Sequence, residues 1–270
     1  MFSFLYFLAA VIAIFLIIFL IRQLSRRLKL NLDYLLFLVK LPRPTKEKEG
    51  RPEADFKNEI GFFEQFLSNI AQEKQPIIFE SAVHQTGEEI HFYIAAPKNL
   101  SDFIKKQIQG FWSGAQVEPI EDYNIFNPQG EAAGAHLKLF ENYSLPIKTY
   151  DNFTKDPFEP ILGNLAKLDK ETEGAAIQLI IKKAPKKFKD RPLKILTQLR
   201  KGSSLKEAMG GLSISAKDVL EALSPPQKKE EKGPAFIDES NVKLIESKIE
   251  KPLFLTNIRL LASASNKEQA

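Results

Sequence analysis

The chain has 270 residues, 44% of them apolar and 27% charged, with 13 Gly, 16 Pro and no Cys. This composition excludes collagen-like, low-complexity and disulfide-scaffold proteins, and the lack of thiols excludes a thiolate metal site or a Cys nucleophile. The net charge of +4 is uneven: residues 1–50 hold 8 Lys/Arg against 3 Asp/Glu, whereas residues 51–270 hold 30 against 31.

Phe2–Ile21 (FSFLYFLAAVIAIFLIIFLI) carries no charge. About 20 apolar residues at ~1.5 Å rise span a ~30 Å hydrocarbon core, so the run predicts a transmembrane helix. A cleaved signal peptide would want positive charge before the run; here the charge follows it, at Arg22, Arg26, Arg27 and Lys29. The positive-inside bias then predicts a single-pass protein of the inner (cell) membrane, with its N-terminus outside and its C-terminal body cytoplasmic. Asp33–Leu41 (DYLLFLVKL) is too short to span. It is expected to lie as a basic helix at the lipid surface or to continue the same helix. Residues 1–41 thus form an anchor, and the Pro-rich stretch 42–54 a linker.

Phe56, Ile60, Phe63, Leu67 and Ile70 recur at helical spacing and predict a helix over Asp55–Glu73, widened by Phe62 and Phe66. Ile77–Val83 and Ile90–Ala96 read as a hairpin around Gln85-Thr86-Gly87-Glu88. Ser101 is a candidate N-cap for a helix bearing Ile104, Ile108 and Phe111, and Gln116–Ile120 is a short strand. Ala135, Leu137 and Leu139 alternate with His136, Lys138 and Phe140. Asp156-Pro157-x-Glu159 starts a helix striped with Ile161, Leu162, Leu165 and Leu168, and Ala175–Lys182 is a strand. Two βαβ-like halves predict a ferredoxin-like α+β sandwich over residues 55–183.

Residues 184–224 form a basic helical segment. Ser204-x-x-Glu207 is a capping box, and Ser215 starts a further short helix. Residues 225–236 (Pro225–Pro234 is PPQKKEEKGP) read as a disordered linker. Residues 237–270 combine a helix carrying Val242, Ile245 and Ile249 with a strand over Leu253–Ala262. A strand alone cannot bury its own face, so it either pairs upstream or opens a further α/β unit left incomplete here. The linker before it favours the second, giving an α+β chain that ends in an incomplete α/β unit.

No P-loop, G-x-G-x-x-G or G-x-S-x-G motif is present. His84, His91 and His136 have no partner at i+2 or i+4, so a metal site has weak support. Glu118, Glu121 and Asp122 read as a solvated turn, and Trp112 as a core or interface anchor. No catalytic, cofactor or metal residue is therefore assigned, and the chain is expected not to be an enzyme. Lys186, Lys187, Lys189, Arg191 and Lys194 are candidates for binding nucleic acid or another polyanion, against the simpler reading of a solvated helical face.

Residues 91–126 and 145–182 resemble an uncharacterised bacterial family whose members look like the membrane-anchored N-terminal portion of HerA/conjugative-transfer ATPases of type IV secretion. The similarity rests on Tyr93-Ile94-x-x-Pro97, Glu121-Asp122-Tyr123, Pro146-Ile147-Lys148-Thr149-Tyr150 and Glu173-Gly174-Ala175-Ala176-Ile177-Gln178. The chain carries no ATPase domain. The resemblance implies a setting, DNA or protein translocation, and a HerA/conjugative-type ATPase as protein partner. The resulting expectation is a membrane-anchored scaffold of a conjugation-like system that acts by protein–protein docking. The alternative is a membrane-tethered, non-specific nucleic-acid-binding module.

Overall fold

The run Tyr34–Lys40 is apolar at both parities, which suits a strand buried on two faces. In the computed structural model, which describes residues 19, 33–42, 55–84, 89–169, 171–210, 238–268 and 270, this run is strand β1. It is followed by β2 (Ile77–Val83), β3 (Ile90–Pro97), β4 (Gln116–Ile120), β5 (Glu131–His136), β6 (Gly174–Lys183) and β7 (Phe254–Ala264). All seven lie in one sheet in the order β4-β1-β3-β2-β6-β7-β5. Every neighbouring pair is antiparallel.

Helix α1 (Asp55–Ile70) precedes β2, α2 (Ser101–Phe111) joins β3 to β4, and α3 (Glu159–Leu165) lies between β5 and β6. Because β1 is antiparallel to both β3 and β4, those two run parallel around it. β7 stands in the same relation to β5 and β6. The sheet therefore holds two split β-α-β units flanking β2, each filled by a strand from elsewhere in the chain.

This corrects the expected fold. The ferredoxin-like sandwich was drawn from residues 55–183, but the two filling strands come from residues 34–40 and 254–264. The segment expected as a lipid-surface helix is β1. The strand expected to open an incomplete C-terminal α/β unit is β7, paired with β6 from Phe254 to Ser263. Pairing on both sides satisfies its backbone groups, which the sequence left without a partner.

The membrane expectation is corrected as well. Among the described residues no helix is long and apolar enough to cross a membrane, so a transmembrane, single-pass inner-membrane protein is not supported. Phe2–Ile21, apart from Phe19, lies outside the described residues, as do Arg22, Arg26, Arg27 and Lys29. The 43–54 part of the first linker, the Gln85–Glu88 turn, the helix from Ser215 and the 225–236 linker also lie outside them.

Helices α1, α2 and α3 pack on one face of the sheet, here the helical face. Phe66 and Ile70 of α1 and Ile104 and Ile108 of α2 are fully buried against Phe37, Ile94 and Ile181. Phe66 sits among Phe63, Phe79, Phe111 and Trp112, with edge-on ring contacts at 6.1 Å to Phe79 and 6.4 Å to Phe111. Complete burial of such a side chain contributes roughly 1.5–3 kcal/mol. Leu162 and Leu165 of α3 cover the other end of the face at Val83 and Ala175.

The remaining helices form a small bundle: α4 (Asp190–Arg200), α5 (Leu205–Gly210) and α6 (Glu239–Glu250) close over Ile195, Leu199, Ala208 and Ile245. Helix α4 ends in a Schellman motif, with Gly202 at φ 83°. The amide of Gly202 donates to Leu199 and that of Ser203 to Gln198. The capping box at Ser204 forms in both directions, the Ser204 amide to Glu207 at 2.9 Å and the Glu207 amide to the Ser204 hydroxyl at 3.3 Å. Asp238 caps α6 by accepting from the Asn241 amide at 3.1 Å.

Candidate functional site

Opposite the helices lies the far face, crossed by the segment that leaves β4 and enters β5. This strap, residues 121–130, packs Ile125 and Tyr123 on Ala82, Tyr93 and Ala176. It passes so close to β6 that a Cβ on Gly174 would stand 2.1 Å from the Ile125 carbonyl oxygen. The Asn127 amide donates to the Ser263 hydroxyl at 3.0 Å, which fixes the strap's far end on β7.

Glu80 lies under the strap in the middle of β2. It is 8% exposed. The Tyr123 hydroxyl donates to Oε2 of Glu80, and Gln178 Nε2 donates to Oε1 at 2.9 Å. Beside it the rings of Tyr93 and Tyr123 stack at 4.3 Å, and those of His84 and His91 at 4.7 Å. His84 Nε2 meets the Tyr93 hydroxyl at 2.6 Å. Burial, and then the charge of His91, holds His84 below the usual imidazole value. Burial raises Tyr93 and Tyr123 above the ordinary phenol value; the charge of Glu80 adds to both, and its hydrogen bond adds to Tyr123. The imidazole and both phenols are thus kept neutral, which suits a cluster that pins the strap.

A second polar junction ties the bundle to α1. Glu64 accepts from Lys251 at 2.5 Å and from the Tyr150 hydroxyl at 2.9 Å. The Lys251 hydrogen bond holds its carboxyl below the usual range, against the effect of burial. A shallow groove of about 400 Å³ beside it is lined by Gly61, Ser68, Phe111 and Tyr150. Among the described residues no group of three His, Asp or Glu side chains is placed to hold a metal ion.

The sheet's two edges differ. β4 is short and carries Pro119, which lacks a donor, and Lys40 pairs with Glu118 at 3.1 Å beside it; such features blunt an edge. β5 has no Pro and, among the described residues, no cover: all six of its residues are exposed. His136 opposes Arg259, and the Leu137 amide donates to Ile258 at 2.9 Å. In an antiparallel ladder, hydrogen-bonded pairs alternate with non-bonded ones. Residues 133, 135 and 137 therefore bond to β7, while the backbone groups of Ala132, Gly134 and His136 point outward. Past the end of β5 the chain runs on into Leu137, Leu139 and Phe140, which are 57%, 59% and 99% exposed.

The five candidate polyanion-binding residues do not act alike. Lys186 and Lys187 lie on a 3-10 turn before α4 and are exposed, with Lys187 Nζ 5.9 Å from the Phe188 ring centre. Lys194 is exposed on α4. Lys189 instead donates inward to the Ile249 carbonyl, and the Nε of Arg191 is buried without a partner. Glu80, Tyr123 and Gln178 carried no signal of function in the sequence beyond one: a lone carboxylate inside the apolar run IIFESAV. Glu118 pairs with Lys40 and Asp122 accepts from the Tyr123 amide at 2.8 Å, and the Trp112 ring packs on the core while its Nε1 donates to Glu59 at 3.1 Å.

Residues 43–270 match the family model described as Domain of unknown function (DUF8128). The chain belongs to that family. No curated protein matches this DUF8128 chain. Neither finding links it to HerA proteins, so type IV secretion, conjugation and DNA translocation gain no support as descriptions of it.

Proposed function

We propose that this DUF8128 chain is a non-enzymatic docking protein whose β5 edge takes up an extended segment of a partner protein as an eighth strand. The observation that carries this reading is the edge itself: unpaired outward backbone groups at Ala132, Gly134 and His136, beside exposed Leu137 and Leu139. An unpaired strand edge is a template for another strand, and main-chain hydrogen bonds would supply affinity. The small side chains of Ala132, Ala133, Gly134 and Ala135 leave room for large alternate residues on the incoming strand, which is the source of selectivity. A HerA/conjugative-type motor ATPase is the partner to try first, on the strength of the resemblance alone.

The test is titration calorimetry of the purified chain against that ATPase, with hydrogen exchange read on the complex. Binding is expected to slow exchange at the Ala132, Gly134 and His136 amides. Ala132→Pro removes an outward donor and leaves the β7 ladder intact, so it is expected to weaken binding at least about tenfold. A complex that forms with equal affinity in the Ala132→Pro protein, or that leaves these amides unprotected, would overturn the proposal. So would the absence of any complex.

A further inference from the structure

The far face beyond the strap is exposed, and its charges have one sign. The register places side chains there in rows. Lys182 stands opposite Leu255, Ile180 opposite Asn257, and Gln178 opposite Arg259, which in turn faces His136. Lys138 follows His136 by two residues and lies just past the ladder's end; the Leu137 amide still donates to Ile258, so the same spacing carries Lys138 toward the row of Asn257. Lys182, Lys138 and Arg259 therefore occupy three successive rows, roughly 7 Å apart along the strand direction, on strands about 4.8 Å apart. All three are exposed. Among the described residues none of their side chains has an ion-pair or hydrogen-bond partner.

The acids that the strand register places near this strip are spoken for or face elsewhere. Glu80, in the row of Arg259, is buried under the strap with Tyr123 and Gln178. Glu131 projects to the helical face, since it shares the parity of Ala133 and Ala135. Nothing on β5, β6 or β7 offsets the three cations on this side. The remaining groups of the strip are Asn257 and His136, which can hydrogen-bond, and the half-buried Ile180.

We propose that this strip, Lys182, Lys138, Arg259 and His136 with Asn257 between them, binds the backbone of a single-stranded nucleic acid. Three uncompensated cations on successive rows complement a chain with one negative charge per unit. A strip three strands wide, bounded by the strap on one side and the β5 edge on the other, offers a track for one polymer strand and no groove for a duplex. The half-buried Ile180 and the His136 ring provide a sequence-tolerant surface for bases, so affinity is expected to be dominated by charge and to fall with salt. This site differs from the basic run before and within α4, and from the docking edge, whose backbone groups it does not use.

Fluorescence anisotropy with a short fluorescein-labelled oligo-dT and a labelled duplex of the same length tests this. The full chain is expected to bind the single strand at low salt and the duplex less tightly. Arg259→Gln with Lys138→Gln is expected to weaken oligo-dT binding at least about tenfold and to reduce the salt slope by ~0.7 for each phosphate no longer neutralised. All these positions are exposed, and an unchanged circular dichroism spectrum and melting temperature would show that the variant folds. Lys186→Gln with Lys194→Gln is expected to have a much smaller effect, and Ala132→Pro none, which separates this site from strand docking. No binding at low salt, preference for the duplex, or loss of affinity that follows Lys186 and Lys194 instead of Arg259 and Lys138 would each overturn the proposal.

Discussion

Substituting Gly174→Ala probes the strap directly. Gly174 opens β6 beneath Ile125, and an added methyl would lie 2.1 Å from the Ile125 carbonyl oxygen, 2.9 Å from its carbon and 3.0 Å from its Cα. All three atoms are backbone, so no side chain can rotate away and the strap itself must rise. Ile125 is 3% exposed, and re-exposing it removes about 1.5–3 kcal/mol of burial. Lifting the strap also strains the Tyr123–Glu80 hydrogen bond, a bond of a class worth about 1.5–3 kcal/mol when one partner is charged. Since relaxation recovers part of both, the expected destabilisation is about 2–4 kcal/mol. Urea unfolding measures it, and amide exchange at Ile125 and Asn127 is expected to quicken before the sheet opens. Gly163→Ala is the comparison: nothing lies within 4 Å of its added methyl, and in helix α3 it is expected to be neutral or to stabilise by up to about 1 kcal/mol. If Gly174→Ala falls within about 0.5 kcal/mol of the parent, the ordinary range for an inert surface change, with strap exchange unaltered, then the close passage does not constrain the strap.

Three further changes test other parts of the structure. Glu80→Ala leaves the Tyr123 hydroxyl and the Gln178 amide without their acceptor and is expected to cost about 2–4 kcal/mol, read by thermal denaturation; a loss under about 1 kcal/mol would mean that the cluster does not hold the strap. Ser144 is fully buried with an unpartnered hydroxyl, so Ser144→Ala is expected to stabilise by about 1 kcal/mol, and a clear destabilisation would contradict that. His84 gives a pH dependence. Its folded pKa lies below the ordinary value, so the unfolded chain takes up the proton first as pH falls through about 6.5, and stability drops from there down to the folded pKa. Urea midpoints at about pH 7 and pH 5.5 are expected to differ in the parent and to converge in His84→Gln; an equal difference in both proteins would assign the effect to other groups.

Much of the local structure was legible because it rests on local chemistry. The capping box at Ser204 and the alternating strands β3 and β6 follow from side-chain spacing alone, and the β-rich composition of Ile77–Val83 marks β2. Other local readings moved slightly. The Phe66 ring, expected only to widen the α1 stripe, is its centre, because it meets both the sheet and α2. Ser101 stands inside α2 and donates its hydroxyl to the Lys98 carbonyl at 2.8 Å, instead of capping from outside. The reading of Tyr34–Lys40 as a helix failed for a physical reason. A short run apolar at every position from Tyr34 to Val39 has no period to distinguish a buried strand from a helix, and the basic residues around it made a lipid-surface helix the nearer explanation.

The filling strands were harder to foresee, because pairing partners far apart in sequence leave no mark on either strand. β1 lies between β3 and β4, which come from a single β-α-β unit, and β7 lies between β6 and β5, which come from another. Read alone, each unit looks complete, and the extra strand looks like the start of something else. The pairing makes β5 dependent on β7, since among the described residues β7 is its one neighbour in the sheet. The free edge and the cationic strip therefore both exist because residues 254–264 return to the sheet. Without β7, Arg259 would have no place beside Lys182 and Lys138, and β5 would have nothing to hold its inner side while its outer side stays open.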